Sequence, residues 1–248
     1  MSSLDYTYEN IDKVIDRSHY LAPTIDPQKT MLLVLDMQKA CAEVGGAMYI
    51  PSVGGAPEGK DVIQPVQNVL EACRAKGIPV VWSLWGLRGD GKDAGYADVK
   101  WGLEGQLETF PGSWGNGGDE LVDELQPLDN EPVFRKHRFS SFYGTALNEY
   151  MRRAGADTLV IAGLSTGNCQ IATAIDGANQ DYKIITLADT TAAIPSGQDD
   201  PLGYGQHWEA LRNIQANHGD VRTSKEFLEL IGADVESHSK VEEIVGAN

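Results

Sequence analysis

Three side chains suited to nucleophilic acyl chemistry follow short apolar runs in this chain: Asp36 closes MLLVLD, Lys136 lies in VFRKHRFSS, and Cys169 ends GLSTGNC. In such chemistry a thiolate attacks a carbonyl carbon, a carboxylate accepts and returns its proton, and a cation favours both anions. Each residue alone has an ordinary explanation. A free cysteine usually packs as a small hydrophobe, an aspartate caps a turn, and a lysine at a strand end is a solvated charge. What those separate explanations leave out is why all three stand after the first, third and fourth of the chain's apolar runs. Around the cysteine, Gly163, Ser165, Thr166, Gly167 and Asn168 form a polar turn of small residues. That turn places Cys169 on the first turn of a helix, near the outside of the protein. Unpaired N–H groups and the positive end of the helix dipole favour thiolate there, so the thiol is expected to titrate low.

These residues need a scaffold. Apolar runs predict strands over 30–35, 78–84, around 133–135, 158–162 and 183–188. Helical spacing appears over 62–76, where Ile63, Val66, Val69, Leu70 and Cys73 recur at i, i+3, i+4, and over 143–154 and 169–180. Strands alternating with helices imply right-handed βαβ units and a mostly parallel sheet covered on both faces, an α/β protein. In such sheets the working crevice lies beyond the carboxyl ends of the strands. Asp36, Lys136 and the turn from Ser165 to Cys169 occupy that position.

The segment 86–118 departs from the alternation, with ten glycines plus Trp101 and Trp114, and reads as a long ordered loop or lid. Residues 1–29 read as an N-terminal surface arm that frays or docks on another subunit, 30–232 as the one domain, and 233–248 as a polar tail.

The 248-residue chain carries a net charge of −16. Such a surface repels phosphate backbones and anionic headgroups, which excludes nucleic-acid and membrane-surface partners. The first twenty residues lack the basic start and apolar run of a signal peptide, and no window approaches a membrane span, so a cytoplasmic location is expected. Cys41, Cys73 and Cys169 share no metal-type spacing, and no structural disulfide is expected.

LVLDMQ, FRKHRFSSFYGT and GLSTGNC followed by IATAIDGA resemble, in order and spacing, the three motifs of the isochorismatase-like cysteine hydrolases. The resemblance covers about residues 30–191. It implies a three-layer α/β fold, Rossmann-like or flavodoxin-like, with Asp36, Lys136 and Cys169 as catalytic triad. It further implies a cis peptide between Leu164 and Ser165, and an oxyanion hole made by the backbone N–H groups of Ser165 and Cys169. Members that cleave a vinyl ether lack the cysteine, so its presence implies C–N bond hydrolysis through a thioester, with no cofactor. Nicotinamidase-like members hold a metal through histidines between the first two triad positions. None of the five histidines here lies between Asp36 and Lys136, so no such metal is expected.

The similarity runs nearest to the ureide-cleaving branch, the biuret hydrolases and ureidoacrylate amidohydrolases. It implies a small amide or ureide as substrate, biuret first, and a homotetramer. Cys41 stands where many relatives have an aromatic residue. Trp82 and Trp85 are candidates to replace that surface, Arg138 or Arg88 to meet a substrate carboxylate, and Gln206, His207 and Gln215 to hydrogen-bond a urea-type group. Two alternatives stand beside this reading: an amidase for N-carbamoyl amino acids or maleamate-type acids, and a non-enzymatic thiol redox sensor built on Cys169. The sensor leaves Asp36 and Lys136 unexplained.

Overall fold

The computed structural model describes residues 8–52, 56–102, 117–194 and 205–233. Its strands are β1 (Thr30–Leu35), β2 (Val80–Trp85), β3 (Val133–Lys136), β4 (Thr158–Gly163), β5 (Lys183–Leu187) and β6 (Asp220–Arg222). The helices are α1 (Ile11–Val14), α2 (Lys39–Ala42), α3 (Ile63–Ala75), α4 (Tyr96–Trp101), α5 (Leu147–Ala154), α6 (Ile171–Ala178), α7 (Gly205–Asn217) and α8 (Ser224–Leu230). The six strands form one parallel sheet in the order β3-β2-β1-β4-β5-β6. This is the Rossmann-type order, and the chain reverses its winding between β1 and β4, where a crevice opens.

Side chains point alternately to the two faces along the central strands, and a sheet covered on both faces buries both sets. Leu32 and Val34 of β1 and Val160 and Ala162 of β4 point into a core with α3 and with Phe227 and Leu228 of α8. Met31, Leu33, Leu35, Leu159 and Ile161 point the other way, onto Leu147 and Met151 of α5, Ala174 of α6, and Trp208, Leu211 and Ile214 of α7. Each of the six residues of β1 and of β4 is buried. That explains why these two strands read as unbroken apolar runs.

Two helix starts are corrected. The helix expected from 143 begins at Leu147, because Gly144 takes a φ of 70° and the Thr145 hydroxyl accepts from the Leu147 N–H. The helix expected from 169 is preceded by a wider π-type turn over Thr166–Gln170, with α6 starting at Ile171. The N-terminal arm, over its described residues, docks on its own chain. The Asp220 carboxylate accepts the Leu21 and Ala22 N–H groups, both at 2.8 Å, and Arg222 donates to the Ala22 carbonyl while stacking over the Tyr20 ring. Arg17 reaches Asp12 and Glu226.

Strand β6 was invisible in the sequence because its three residues carry two charges, both consumed by holding that arm. Within the glycine-rich segment, α4 occupies 96–101. Residues 103–116, including Trp114, and 234–248 lie outside the described residues. Among the described residues no helix is long and apolar enough to cross a membrane.

Candidate active site

Asp36 leaves the end of β1 at a φ of 51°, in the left-handed region that non-glycine residues rarely adopt, while its N–H donates to the Ser83 carbonyl of β2. Beside it β4 ends at Gly163, with a φ of 119°. A Cβ there would lie 2.1 Å from the Leu35 carbonyl oxygen, so glycine alone lets the two strand ends approach. Gly163→Ala is accordingly expected to cost about 2–5 kcal/mol of stability. A urea midpoint that does not move would refute it. The Leu164–Ser165 peptide is cis.

Lys136, at the end of the edge strand β3, reaches inward across β2. Its Nζ lies 2.6 Å from Asp36 Oδ2 and 3.0 Å from Cys169 Sγ, so one ammonium joins both other members of the predicted trio. The three side chains belong to strand ends brought together by the order β3-β2-β1-β4. All are buried, Lys136 with 1% exposure.

Burial governs their protonation. It pushes the Asp36 carboxyl above its ordinary value, an effect that Lys136 partly offsets. Burial pulls Lys136 down, but the facing Asp36 and Cys169 outweigh it and hold the ammonium above its ordinary value. The Cys169 thiol is pushed well up, by burial first and then by the Asp36 carboxylate, with Lys136 pulling the other way. The sequence placed this cysteine near the surface with a lowered pKa, and both expectations fail. The turn is roofed over, and desolvation with a neighbouring anion outweighs the helix terminus. The Lys136 ammonium at 2.6 Å favours the ionised form of Asp36 against that burial, and the Cys169 thiol is held neutral. The thiol becomes a nucleophile only by handing its proton to a base, and the carboxylate is at hand.

In the π-type turn, the Asn168 and Gln170 N–H groups bond back to the Ser165 carbonyl and Thr166 N–H donates to Ala192. A buried hydroxyl chain supports the turn. The Thr173 hydroxyl donates to the Cys169 carbonyl at 2.6 Å and accepts the Ser141 N–H, and the Ser141 hydroxyl meets that of Ser83 at 2.9 Å. Sequence reasoning passed over these residues. The signal was there, in a serine inside the otherwise apolar VVWSLW and the paired serines of FSSFYGT.

Above the trio opens a cavity of about 430 Å³. Cys41 and Trp85, both expected, line it. Gln38, Met48, Tyr49, Ile50, Phe139, Leu164, Asn168 and Ile194 line it too and were not anticipated as contacts. Gln38, 1% exposed, exchanges two hydrogen bonds with the Trp85 backbone and donates to the Gly118 carbonyl, tying the β1 end to the cavity wall.

The other expected contacts lie elsewhere. Arg138 spends its guanidinium on the carbonyls of Asp93 and His137 and sits over the Tyr96 ring, bracing the approach to α4. Arg88 pairs with Asp90. Gln215 bridges the His19 carbonyl and the Val221 N–H, holding the arm. Gln206 packs behind the cysteine turn, against Gly167. His207 is buried between Thr166 and Tyr8, and burial drives its pKa down to about 3, leaving a neutral ring. Trp82 is core, with its indole N–H on Glu131. Long polar side chains on a helix do not reveal in sequence which way they face. Among the described residues no group of three or more His, Cys, Asp or Glu gathers as a metal site would need.

Comparison with known proteins agrees with this geometry. The isochorismatase domain matches residues 30–226. The ureidoacrylate amidohydrolase RutB of Methylobacterium radiotolerans is 33% identical over 227 residues, covering 84% of this chain and 81% of that protein. The RutB of Acinetobacter baylyi is 30% identical, covering 82% and 83%. Among solved structures, a cysteine hydrolase from Pseudomonas syringae superposes with a TM-score of 0.76 at 28% identity, covering 89% of this chain and 98% of that one. An N-carbamoylsarcosine amidase from Thermoplasma acidophilum gives 0.60 at 27% identity, covering 79% and 96%.

Proposed function

Because this chain belongs to the isochorismatase family, we propose that it is a cysteine-dependent amidohydrolase that cleaves a C–N bond of an uncharged ureide, of which biuret is the simplest, and releases ammonia. The observation that carries the reading is the single buried ammonium of Lys136 within hydrogen-bonding distance of both the Asp36 carboxylate and the Cys169 sulfur. The amide-cleaving relatives support the bond type.

The chemistry follows from the resting charges. As a carbamoyl carbon meets Cys169, the thiol proton passes to Asp36 and the S–C bond forms, with Lys136 balancing the negative charge as it moves between them. On this reading the Ser165 and Cys169 amides receive the oxyanion. Asp36 then delivers the proton to the leaving nitrogen, the C–N bond breaks, and ammonia departs to leave a thioester. Water gives its proton to Asp36 and its oxygen to the acyl carbon, which releases the acid and restores the thiol.

The cation inventory supports an uncharged substrate. No Arg or Lys lines the described cavity, Lys136 is committed to its two partners, and Arg138 is held by backbone carbonyls. Segments 53–55, 103–116 and 195–204 contain neither Lys nor Arg in their sequences, whereas 234–248 carries Lys240. Against the described lining an anionic substrate would surrender hydration with no cation in return. We therefore expect kcat/KM for biuret to exceed that for ureidoacrylate, maleamate or N-carbamoylsarcosine by about 10- to 100-fold. Ammonia release across that panel, with nicotinamide included, decides it, and a preference for the acids would overturn the assignment.

A further inference from the structure

The cavity has two unlike kinds of lining. Asp36, Ser165, Asn168 and Cys169 carry its polar and reactive groups, whereas the lining contributed by Met48, Tyr49, Ile50, Phe139 and Ile194 is largely apolar. Those members of the wall region that carry a polar atom do not offer it freely to a ligand. The Tyr49 hydroxyl donates to Glu58. Burial, with the Asp36 charge behind it, pushes the Cys41 thiol up to about 12, so it presents a neutral sulfur. Gln38 spends its amide on the Trp85 backbone. At the rim, Ile194 leaves 43% of its surface exposed, an apolar side chain held at the mouth.

The space also exceeds what a bare ureide fills. About 430 Å³ falls in the range of sites that enclose drug-sized ligands, roughly 300–1,000 Å³. A molecule built of carbamoyl groups throughout would point its far N–H and C=O groups at carbon, which costs free energy for each unpaired group.

We propose that the substrate is an uncharged ureide or amide bearing an apolar substituent, aliphatic or aryl, and that the wall of Met48, Tyr49, Ile50, Phe139 and Ile194 selects it. The proposal rests on the amidohydrolase reading and narrows its substrate class. The scissile carbamoyl lies at Cys169, and the substituent lies along the wall toward Ile194.

The test is ammonia release by the full chain from biuret and from 1-methyl-, 1-propyl-, 1-pentyl- and 1-phenylbiuret. Burying a methylene is worth about 0.8 kcal/mol, or about fourfold, so kcat/KM should rise on the order of 10²-fold from methyl to pentyl, mainly through KM. Ile194→Asn, at a half-exposed position where folding is little affected, should cut the pentyl-to-methyl ratio several-fold. A flat or falling series, or a ratio that Ile194→Asn leaves intact, overturns the apolar-substituent proposal while biuret turnover keeps the amidohydrolase reading. No ammonia from any of the five compounds would overturn the amidohydrolase reading itself.

Discussion

Cys169→Ala is expected to reduce ammonia release by about 10⁴- to 10⁶-fold while the protein stays folded, since the loss of a nucleophile removes the chemical step and not merely a contact. Among the described residues no other group is set to take over. The Cys41 thiol faces the same cavity but is protonated, and Lys136 does not bridge it to Asp36. The substitution deletes one atom from a turn that the Thr173, Ser141 and Ser83 hydroxyls continue to hold from behind. Circular dichroism and the thermal midpoint should therefore change little. Cys169→Ser adds a sharper check, because its hydroxyl can occupy the place of the thiol but is far harder to deprotonate. Quenched turnover of the wild type, read by intact mass, should show an acyl adduct that both variants lack. Substantial turnover by Cys169→Ala would refute the thioester route.

Lys136→Met should lower the rate by about 10²- to 10⁴-fold and also weaken the fold, since the ammonium serves two buried groups at once. Breaking a buried pair by removing one partner costs about 3–5 kcal/mol, which for a chain of this size is a drop in Tm on the order of 10 °C. Asp36 limits that cost by taking up a proton, and from this follows a pH signature with a definite sign. The Asp36 carboxyl already sits above its ordinary value through burial, with Lys136 the main force holding it down. The base works only when ionised, so activity falls as pH drops through that value. Without Lys136 the pKa rises further, and the acid limb of the kcat/KM profile should move to higher pH. An unmoved acid limb would show that Asp36 is not the base or that Lys136 is not its counterion.

Most of the scaffold was legible because burial on both faces writes itself plainly. Strands such as TMLLVL and TLVIAG have no solvent side to interrupt them, so no charged residue breaks them and every position after the leading threonine is apolar or glycine, and the residue after each run marks the carboxyl edge. What escaped notice was the outer edge of the sheet. There DVR forms a strand whose Asp220 and Arg222 are occupied by the N-terminal arm, a partner some 200 positions away in the chain that no local pattern reveals.

The site divides along the same line. That an aspartate, a lysine and a cysteine belonged together could be read from their positions after three of the apolar runs, since chemistry of this kind demands those residue types. The strand order brought Lys136 from an edge strand, 100 positions from Asp36, to 2.6 Å, and only the packing around Cys169 set its thiol above the ordinary value instead of below it. Proton affinity depends on how much water and which charges surround a group, and those are properties of the folded volume. The same holds for substrate contacts. Arg138, Gln206 and Gln215 had suitable side chains, yet backbone carbonyls, a glycine turn and the arm claimed them. Sequence thus determined which reactive groups the chain owns and on which elements they ride. Tertiary structure decided which of them face one another, their charge at rest, and the largely apolar shape of the space above them, because direction and desolvation arise only when distant segments close over a common volume.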